Sequence, residues 1–556
     1  MLRAVLSVFL LMLAACTAAP PPATVAAAPL ERPNIVLVVF EDMSGRIGAL
    51  GDPVARTPVL DAFAAEAVVL PNGFTTAGVC APSRSALITG VHQQTLGTQH
   101  MRTKGLQGLA GGGPVEYEAV PPPEVKAFPE LLREAGYYTS NNGKTDYQFG
   151  EPFTVWNLNA PDADWRGRAE GQPFFAMVNI YETHESYIWP EDRESENPVL
   201  NAVTQRNRRD LSGKERVTDP ADVIVPPWLP DTPVVRADLA RHYDNIAFAE
   251  HHLAEVIAKL REDGVLDETI IIVTTDHGDG LPGAKRTVYD AGIRVPIFVR
   301  FPDGRMAGTR DDRLISFVDL APTILRWAGL AAPDWIQGRD LFIAPERRYI
   351  YAASDRIDTV MGRRKAVRDA RYKYIRNYDI DRNVLFPLPF RDALPTMQEI
   401  WRLHRAGTLN PMIEGRITLP APAEELYDLS ADPQEVANIA GEAAYRDVLM
   451  RMRAELDRWT AASPDLSATP EAAMIEAMWP GGVQPATAPP RLTRDGNRLI
   501  LSSPTEGSSI AYGRSLDTLD RVATGSVAVR AGDARFARAV RYGYSPSAIV
   551  ELAPPS

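Results

Sequence analysis

Short uninterrupted apolar runs alternate along this chain with stretches in which apolar residues recur every three or four positions. Asn34 to Phe40 (NIVLVVF) carries no charge and reads as a strand buried on both faces, and Phe174 to Ile180, Ile270 to Thr275 and Val295 to Arg300 read the same way. Leu239, Tyr243, Ile246, Leu253, Val256, Ile257 and Leu260 fall on one face of a helix that Gly264 ends. This alternation predicts an α/β fold with a mixed, mostly parallel central sheet flanked by helices. Ligands in such sheets sit at the carboxyl ends of strands, where Glu41-Asp42 and Asp276-His277 stand.

The texture changes near Gly481. Pro485, Pro489 and Pro490 mark a linker, and Asp495-Gly496 is a hairpin signal ahead of Leu499 to Leu501. Further on, Phe536, Val540, Tyr542 and Tyr544 alternate with Arg535, Ala537 and Arg541, so residues 481–556 read as a small β-sandwich. That segment resembles the carboxyl-terminal sandwich of chitobiase-type glycosidases and of some sulfatases. A length of 556 residues itself predicts more than one domain. The divisions expected are a leader and tether over 1–30, a catalytic domain over 31–350, a carboxyl-terminal α+β subdomain over 351–480 and the sandwich.

The amino terminus carries Arg3 and an apolar run from Ala4 to Ala15, long enough for a signal peptide and short for a membrane span. Its end, Leu13-Ala14-Ala15-Cys16, resembles the lipobox of bacterial lipoproteins. The resemblance implies cleavage before Cys16, a lipid on its sulfur, and export to the periplasm or outer membrane of a bacterium. The lipid is then the chain's one attachment to a membrane, and residues 17–30, rich in Ala and Pro, form a tether.

A hydrophobic share of 45% and a charged share of 23% are ordinary for a globular protein. The net charge of −12 argues against a nucleic-acid partner, which needs a basic face. Cys16 and Cys80 are the two cysteines, and with the first in the leader no structural disulfide is expected.

Cys80-Ala81-Pro82-Ser83-Arg84, continuing through Ser85-Ala86-Leu87-Ile88-Thr89-Gly90, resembles the signature of the formylglycine-dependent sulfatases, which share the alkaline-phosphatase-like fold. The resemblance implies that a formylglycine-generating enzyme oxidises Cys80 to formylglycine. A hydrated aldehyde offers two hydroxyls on one carbon, one to attack sulfur and one to expel sulfate, which splits the reaction into two easier steps. A helix amino terminus at Cys80 favours negative charge there, and Arg84 holds the nucleophile's surroundings through its planar fork.

The metal set implied by the family is Glu41, Asp42, Cys80, Asp276 and His277. Adjacent acids at a strand end can aim two oxygens at one cation, and calcium prefers oxygen ligands. His277 adds a nitrogen, so magnesium or another divalent cation stays open. Glu41 departs from the commoner aspartate. Gly143-Lys144-Thr145-Asp146 resembles the family's Gly-Lys-x-His stretch, with Lys144 the sulfate-binding lysine and Asp146 in place of the histidine. Asp146 either serves as a base at the substrate or bonds the backbone. His184 matches the histidine at the leaving atom, and Lys285 the second sulfate-binding lysine. Fixed cations where negative charge develops are usually the largest catalytic contribution.

The resemblance spans roughly residues 32–462. Asn141 to Tyr147, Ala284-Lys285-Arg286 and Ala366 to Asp369 are similar to bacterial proteins grouped with heparan N-sulfatases, which implies a sulfated sugar or glycosaminoglycan fragment of the N-sulfoglucosamine kind. Asp355, Arg356 and Asp358 are candidate sugar contacts, against the alternative of a plain surface loop. His92 and His100 either line the pocket or serve the fold. His251 and His252, adjacent on a helix, cannot face one ligand together. Two other functions are weighed: a phosphate or phosphonate ester hydrolase of the same superfamily, and a lipoprotein that binds sulfated glycan without cleaving it.

Overall fold

The computed structural model describes residues 31–110, 113–516 and 519–552; the lipid-anchor reading at Cys16 lies outside them. The main sheet contains β1 (Asn34–Phe40), β2 (Val68–Phe74), β3 (Tyr138–Asn141), β4 (Leu158–Asn159), β5 (Phe174–Ile180), β6 (Thr269–Thr275), β7 (Arg294–Arg300) and β8 (Ile315–Ser316). Their order is β4-β3-β5-β1-β6-β7-β2-β8. Ile35 through Phe40 are fully buried, as an uncharged run covered by helices on both faces requires. One such helix, Pro233–Glu262, buries Leu239, Ile246, Leu253 and Leu260. It ends ahead of Gly264, whose φ of +69° suits a residue without a Cβ.

Register positions the chemistry. Phe40 stands beside Ile180 on β5 and Thr275 on β6, all parallel. The residues that follow the three strands therefore leave the sheet at one level. Asn141, the last residue of β3, pairs with Met177, so Lys144 emerges a short turn away. β7 runs antiparallel to β6, and β2 antiparallel to β7. β2 thus points the same way as β1, and the segment after it carries Cys80 to the same edge.

β9 (Ile350–Ser354), β10 (Arg364–Arg368), β11 (Tyr372–Asn377) and β12 (Glu424–Asp428) form a second, antiparallel sheet. Helix Arg446–Ala462 packs Met452 and Leu456 against its Val367, Tyr374 and Leu426. Past residue 490, a three-stranded sheet of β13 (Arg491–Asp495), β14 (Arg498–Ser502) and β17 (Val527–Val529) faces a four-stranded one. The latter holds β15 (Ser509–Gly513), β16 (Arg521–Ala523), β18 (Phe536–Val540) and β19 (Val550–Glu551). Leu501, Ile510, Tyr512, Ala537 and Ala539 fill the space between them. The alternating stretch turns its small residues inward, whereas Phe536 is half-buried beneath the Arg535 guanidinium. Among the described residues no helix is long and apolar enough to cross a membrane.

Candidate active site

Cys80 opens the helix Cys80–Thr89, every residue of which is buried, and Gly90 closes it at φ +71°. The strand-to-helix turn lies against residues 286–287: the Arg286 N–H donates to the Gly78 carbonyl at 2.6 Å. A Cβ on Gly78 would sit 2.1 Å from the Thr287 carbonyl, so this approach needs glycine and ties Cys80 to the loop that carries Lys285.

Cys80 Sγ lies 3.3 Å from His277 Nε2 and 4.0 Å from Asp42 Oδ1. His277 Nε2 is 3.0 Å from Asp42 Oδ1 and 3.7 Å from Asp276 Oδ1. The Asp42 N–H donates to Asp276 Oδ1 at 3.1 Å, from a backbone held at φ +44°. Donor atoms of Asp42, Cys80, Asp276 and His277 all lie within 4.8 Å of one another, and so do those of Glu41, Asp42, Cys80 and His184. His277 Nδ1 is 2.9 Å from the Gly278 carbonyl, to which it can only donate, and this leaves the Nε2 lone pair facing the carboxylates. Burial pulls the imidazole down, but Asp276 and Asp42 outweigh it and push it up to about 10. A field that holds a proton there suits a cation equally. Glu41 Oε1 is buried without a hydrogen-bond partner. Carboxylate oxygens with one imidazole nitrogen fit a hard divalent cation.

Cations ring this cluster. Arg84 donates from Nε to Asp276 Oδ2 at 2.9 Å and from Nη1 to Asn179 Oδ1 at 2.6 Å, while its Nη2 is buried without a partner. Lys144 Nζ lies 2.6 Å from Glu41 Oε2 and 3.5 Å from Asp146 Oδ2. Burial disfavours the Lys144 ammonium, but Glu41 and Cys80 outweigh it and hold the group well above its usual range. Lys285 Nζ lies 2.6 Å from Asp42 Oδ2 and 3.1 Å from Glu185 Oε1. Glu185 is itself clamped by both terminal nitrogens of Arg286, at 2.8 and 2.5 Å. His184 Nδ1 accepts from the Ser186 N–H at 3.3 Å, which places its proton on Nε2. Burial, then Lys285, holds His184 well below its ordinary value and keeps it neutral.

Cys80, Lys144, Asp146 and His184 line one cavity of about 550 Å³. The sequence-derived residues Glu41, Asp42, Cys80, Arg84, Lys144, His184, Asp276, His277 and Lys285 thus converge, with Asp146 on the wall.

His92, His100, Asp355, Arg356 and Asp358 do not line that cavity. His92 lies in a separate small cleft with Gln337 and Trp459. His100 is buried and accepts the Arg356 N–H on Nδ1. Arg356 clamps Glu471 at 2.7 and 2.8 Å, and Asp355 is 2% exposed. Asp358 accepts from Arg102 behind the cavity wall. The loop read as either sugar contact or plain surface is turned inward: Met101 bridges to Ile357, and Glu471 of the following segment holds Arg356. His251 is exposed, while His252 bonds Glu182 at 2.7 Å.

Other residues of the site escaped sequence reasoning. Asn179 fixes Arg84, and Glu185 fixes Lys285; the Glu185 N–H donates to Asp42 Oδ2 at 2.7 Å. Asp279 orders the turn after His277 through Arg46 and His242. Adjacency to His184 and to Asp276-His277 was the available signal for the last two. Nothing in the sequence marked Arg102, Gln148 or Phe390, which also line the cavity.

A sulfatase family model matches residues 33–330, and one for the carboxyl-terminal part of N-sulphoglucosamine sulphohydrolase matches residues 283–390. An ulvan-active sulfatase of Formosa agariphila is 38% identical over 94% of this chain and 91% of its own. Human N-sulphoglucosamine sulphohydrolase is 26% identical over 77% of this chain and 89% of its own. A solved structure of a protein bound to its substrate D-glucosamine-2-N,6-O-disulfate shares the fold, with a TM-score of 0.53 and 18% identity over 78% of this chain and 98% of that one. The alkaline-phosphatase-like architecture, the matched family and the relative that spans nearly the whole chain lead to one statement: this protein belongs to the sulfatase family.

Proposed function

We propose that this sulfatase removes sulfate from a sugar of a sulfated polysaccharide, through a formylglycine made from Cys80 beside a bound calcium ion. The observation that carries the reading is the position of Cys80 Sγ, at a helix start, 3.3 Å from His277 Nε2 and open to a cavity walled by Lys144 and His184.

Glu41, Asp42, Asp276 and His277 would hold the cation, which supplies a Lewis acid that lowers the pKa of a bound hydroxyl and shields a sulfate oxygen. Residue 80, oxidised and hydrated, supplies two hydroxyls on one carbon, one to take the sulfuryl group and one to release it. The unpartnered Arg84 Nη2, on the helix that Cys80 opens, accords with that assignment, because oxygen in place of the thiol sulfur is the better acceptor for a buried donor.

Each lysine ammonium has three protons. Lys285 donates one to Asp42 Oδ2 and pairs with Glu185, and Lys144 pairs with Glu41 and Asp146, so each is anchored and still has a proton to offer a sulfate oxygen. These anchored cations need no reorganisation as charge builds on the transferring group. Neutral His184, with its proton on Nε2, donates to the leaving oxygen or nitrogen.

The ulvan activity of the relative at 38% identity makes ulvan the first substrate to test, and the sulfamate of N-sulfoglucosamine the second. Export and lipid attachment through Cys16 would place the enzyme where such polymers arrive. Matured protein should release sulfate from sulfated ulvan oligosaccharides or heparin disaccharides, and act far more slowly on an aryl phosphate than on an aryl sulfate. Faster phosphate turnover, with no sulfate released from either glycan, would refute the reading.

A further inference from the structure

The cavity holds two guanidinium groups that this chemistry leaves without a task. Arg102 sits on its wall with a side chain 26% exposed. Its Nε donates to Asp358 Oδ1 at 2.9 Å, and its guanidinium lies 5.5 Å from the centre of the Phe390 ring. Its Nη1 and Nη2 have no hydrogen-bond partner among the described residues. Arg206 bonds only the neighbouring Asn207 carbonyl oxygen, Oδ1, at 3.2 and 3.1 Å, and makes no ion pair among the described residues.

The backbone around Arg102 is held in a costly shape. Arg102 has φ +64°, Asp146 and Gln148 on the same cavity have +52° and +63°, and Asp358 behind it has +49°. Left-handed backbone at non-glycine residues persists where surrounding contacts over-determine it, and it concentrates at ligand clamps. Those contacts are present: the Met101 N–H donates to Arg356 O at 2.9 Å, Thr103 Oγ1 to Gln148 Oε1 at 3.1 Å, and Gln148 Nε2 to His100 O. The acids on the cavity have partners of their own: Glu118 has Lys104, Asp146 has Lys144 and Glu151 has Thr145. A braced cation with a free two-nitrogen fork is left facing the space beside Cys80.

We propose that the free Nη1–Nη2 fork of Arg102, set by the Asp358 ion pair and by Phe390, and joined by Arg206 on the same cavity, forms a subsite for a second anionic group of the substrate. That group is a carboxylate or a further sulfate, on the sugar that is desulfated or on its neighbour. The planar fork matches two oxygens of either anion. The inference rests on the sulfatase reading above and extends it from one anion to two.

Binding decides it independently of turnover. Cys80→Ala protein is titrated calorimetrically with two ligand pairs: glucosamine monosulfate against disulfate, and a monosulfated uronate disaccharide against the same sugar with its carboxylate reduced to the alcohol. In at least one pair the dianion should bind about tenfold tighter or more, the scale of a charge-assisted bidentate contact. The pair that shows the preference identifies the anion as sulfate or carboxylate. Adding Arg102→Ala should collapse the preference to about twofold or less, with most of the lost affinity on the dianion, as expected when one charged contact is removed. Arg102→Gln, whose amide can still donate to Asp358, serves if the alanine variant unfolds. A preference that survives either change, equal weakening of both ligands, or no preference in either pair would each overturn the proposal. Failure of wild-type enzyme to desulfate any sugar would instead count against the substrate reading.

Discussion

The Tyr542 hydroxyl donates to Glu130 Oε2 at 2.6 Å and accepts from the Ala127 N–H at 3.1 Å, which fixes a residue of the carboxyl-terminal sandwich inside the catalytic layer. Its ring stacks on Phe149 at 4.8 Å, and Phe149 stacks on Tyr147 at 5.5 Å; Tyr147 is a cavity residue next to Asp146. The Gly543 N–H donates to Phe149 O at 3.1 Å. The sandwich therefore braces the loop that carries Lys144. Tyr542→Phe should cost about 1–3 kcal/mol in urea melts, because buried Glu130 loses a donor. Tyr542→Ala should also lower kcat/KM at temperatures where the fold is intact. Unchanged kcat/KM in the alanine variant would mean that the stack does not position the loop.

Metal dependence follows from the crowding of Glu41, Asp42 and Asp276 around Cys80 and His277. A chelator should abolish turnover and lower Tm, and calcium should restore both. At free calcium near 100 times Kd the folded state gains about 2.7 kcal/mol. A Tm that ignores both chelator and calcium would contradict the assignment of these residues to a cation.

Lys285→Ala should lower kcat about a hundredfold, the scale of a lost stabiliser of developing negative charge. Asp42 and Glu185 lose a buried partner in that variant, so a lower Tm should accompany the loss. Steady-state kinetics on an aryl sulfate checks it, and a kcat within a fewfold of wild type would remove Lys285 from the anion site.

Asp355 gives a pH signature outside the site. Burial raises its carboxyl from 3.8 to about 7, against Ser467 and Lys365. The folded value lies above the unfolded one, so the fold favours the protonated form. Its cost is absent below about pH 4 and grows as pH rises toward 7, at no more than about 1.4 kcal/mol per unit. Asp355→Asn should therefore stabilise the protein more at pH 8 than at pH 4, read as Tm differences. Equal effects at both pH values would show that the carboxyl ionises freely in the fold.

What the sequence disclosed depended on contiguity. Cys80 to Gly90 and Asp276-His277 lie in single runs, and β1, β5 and β6 are uncharged stretches with one plausible fate. The antiparallel direction of β7 was not legible, because an apolar run carries no record of which way it points. The inward face of β18 was not legible either: Ala537 and Ala539 are buried because the two sheets approach closely, while bulkier Phe536 packs under an arginine. Arg102 depends on Asp358 and Phe390, each more than two hundred and fifty positions away, and only the fold brings them together. The same distance effect hid the surroundings of Arg356, whose partner Glu471 belongs to a segment far along the chain.

The oxidation state of residue 80 in active enzyme tests the account most directly. Mass spectrometry of the peptide that contains Cys80, from protein made with and without a formylglycine-generating enzyme, should find the aldehyde in the first preparation only. Sulfate release should rise in proportion to the converted fraction and be absent from Cys80→Ala. Full activity from protein whose Cys80 is still a thiol would contradict it.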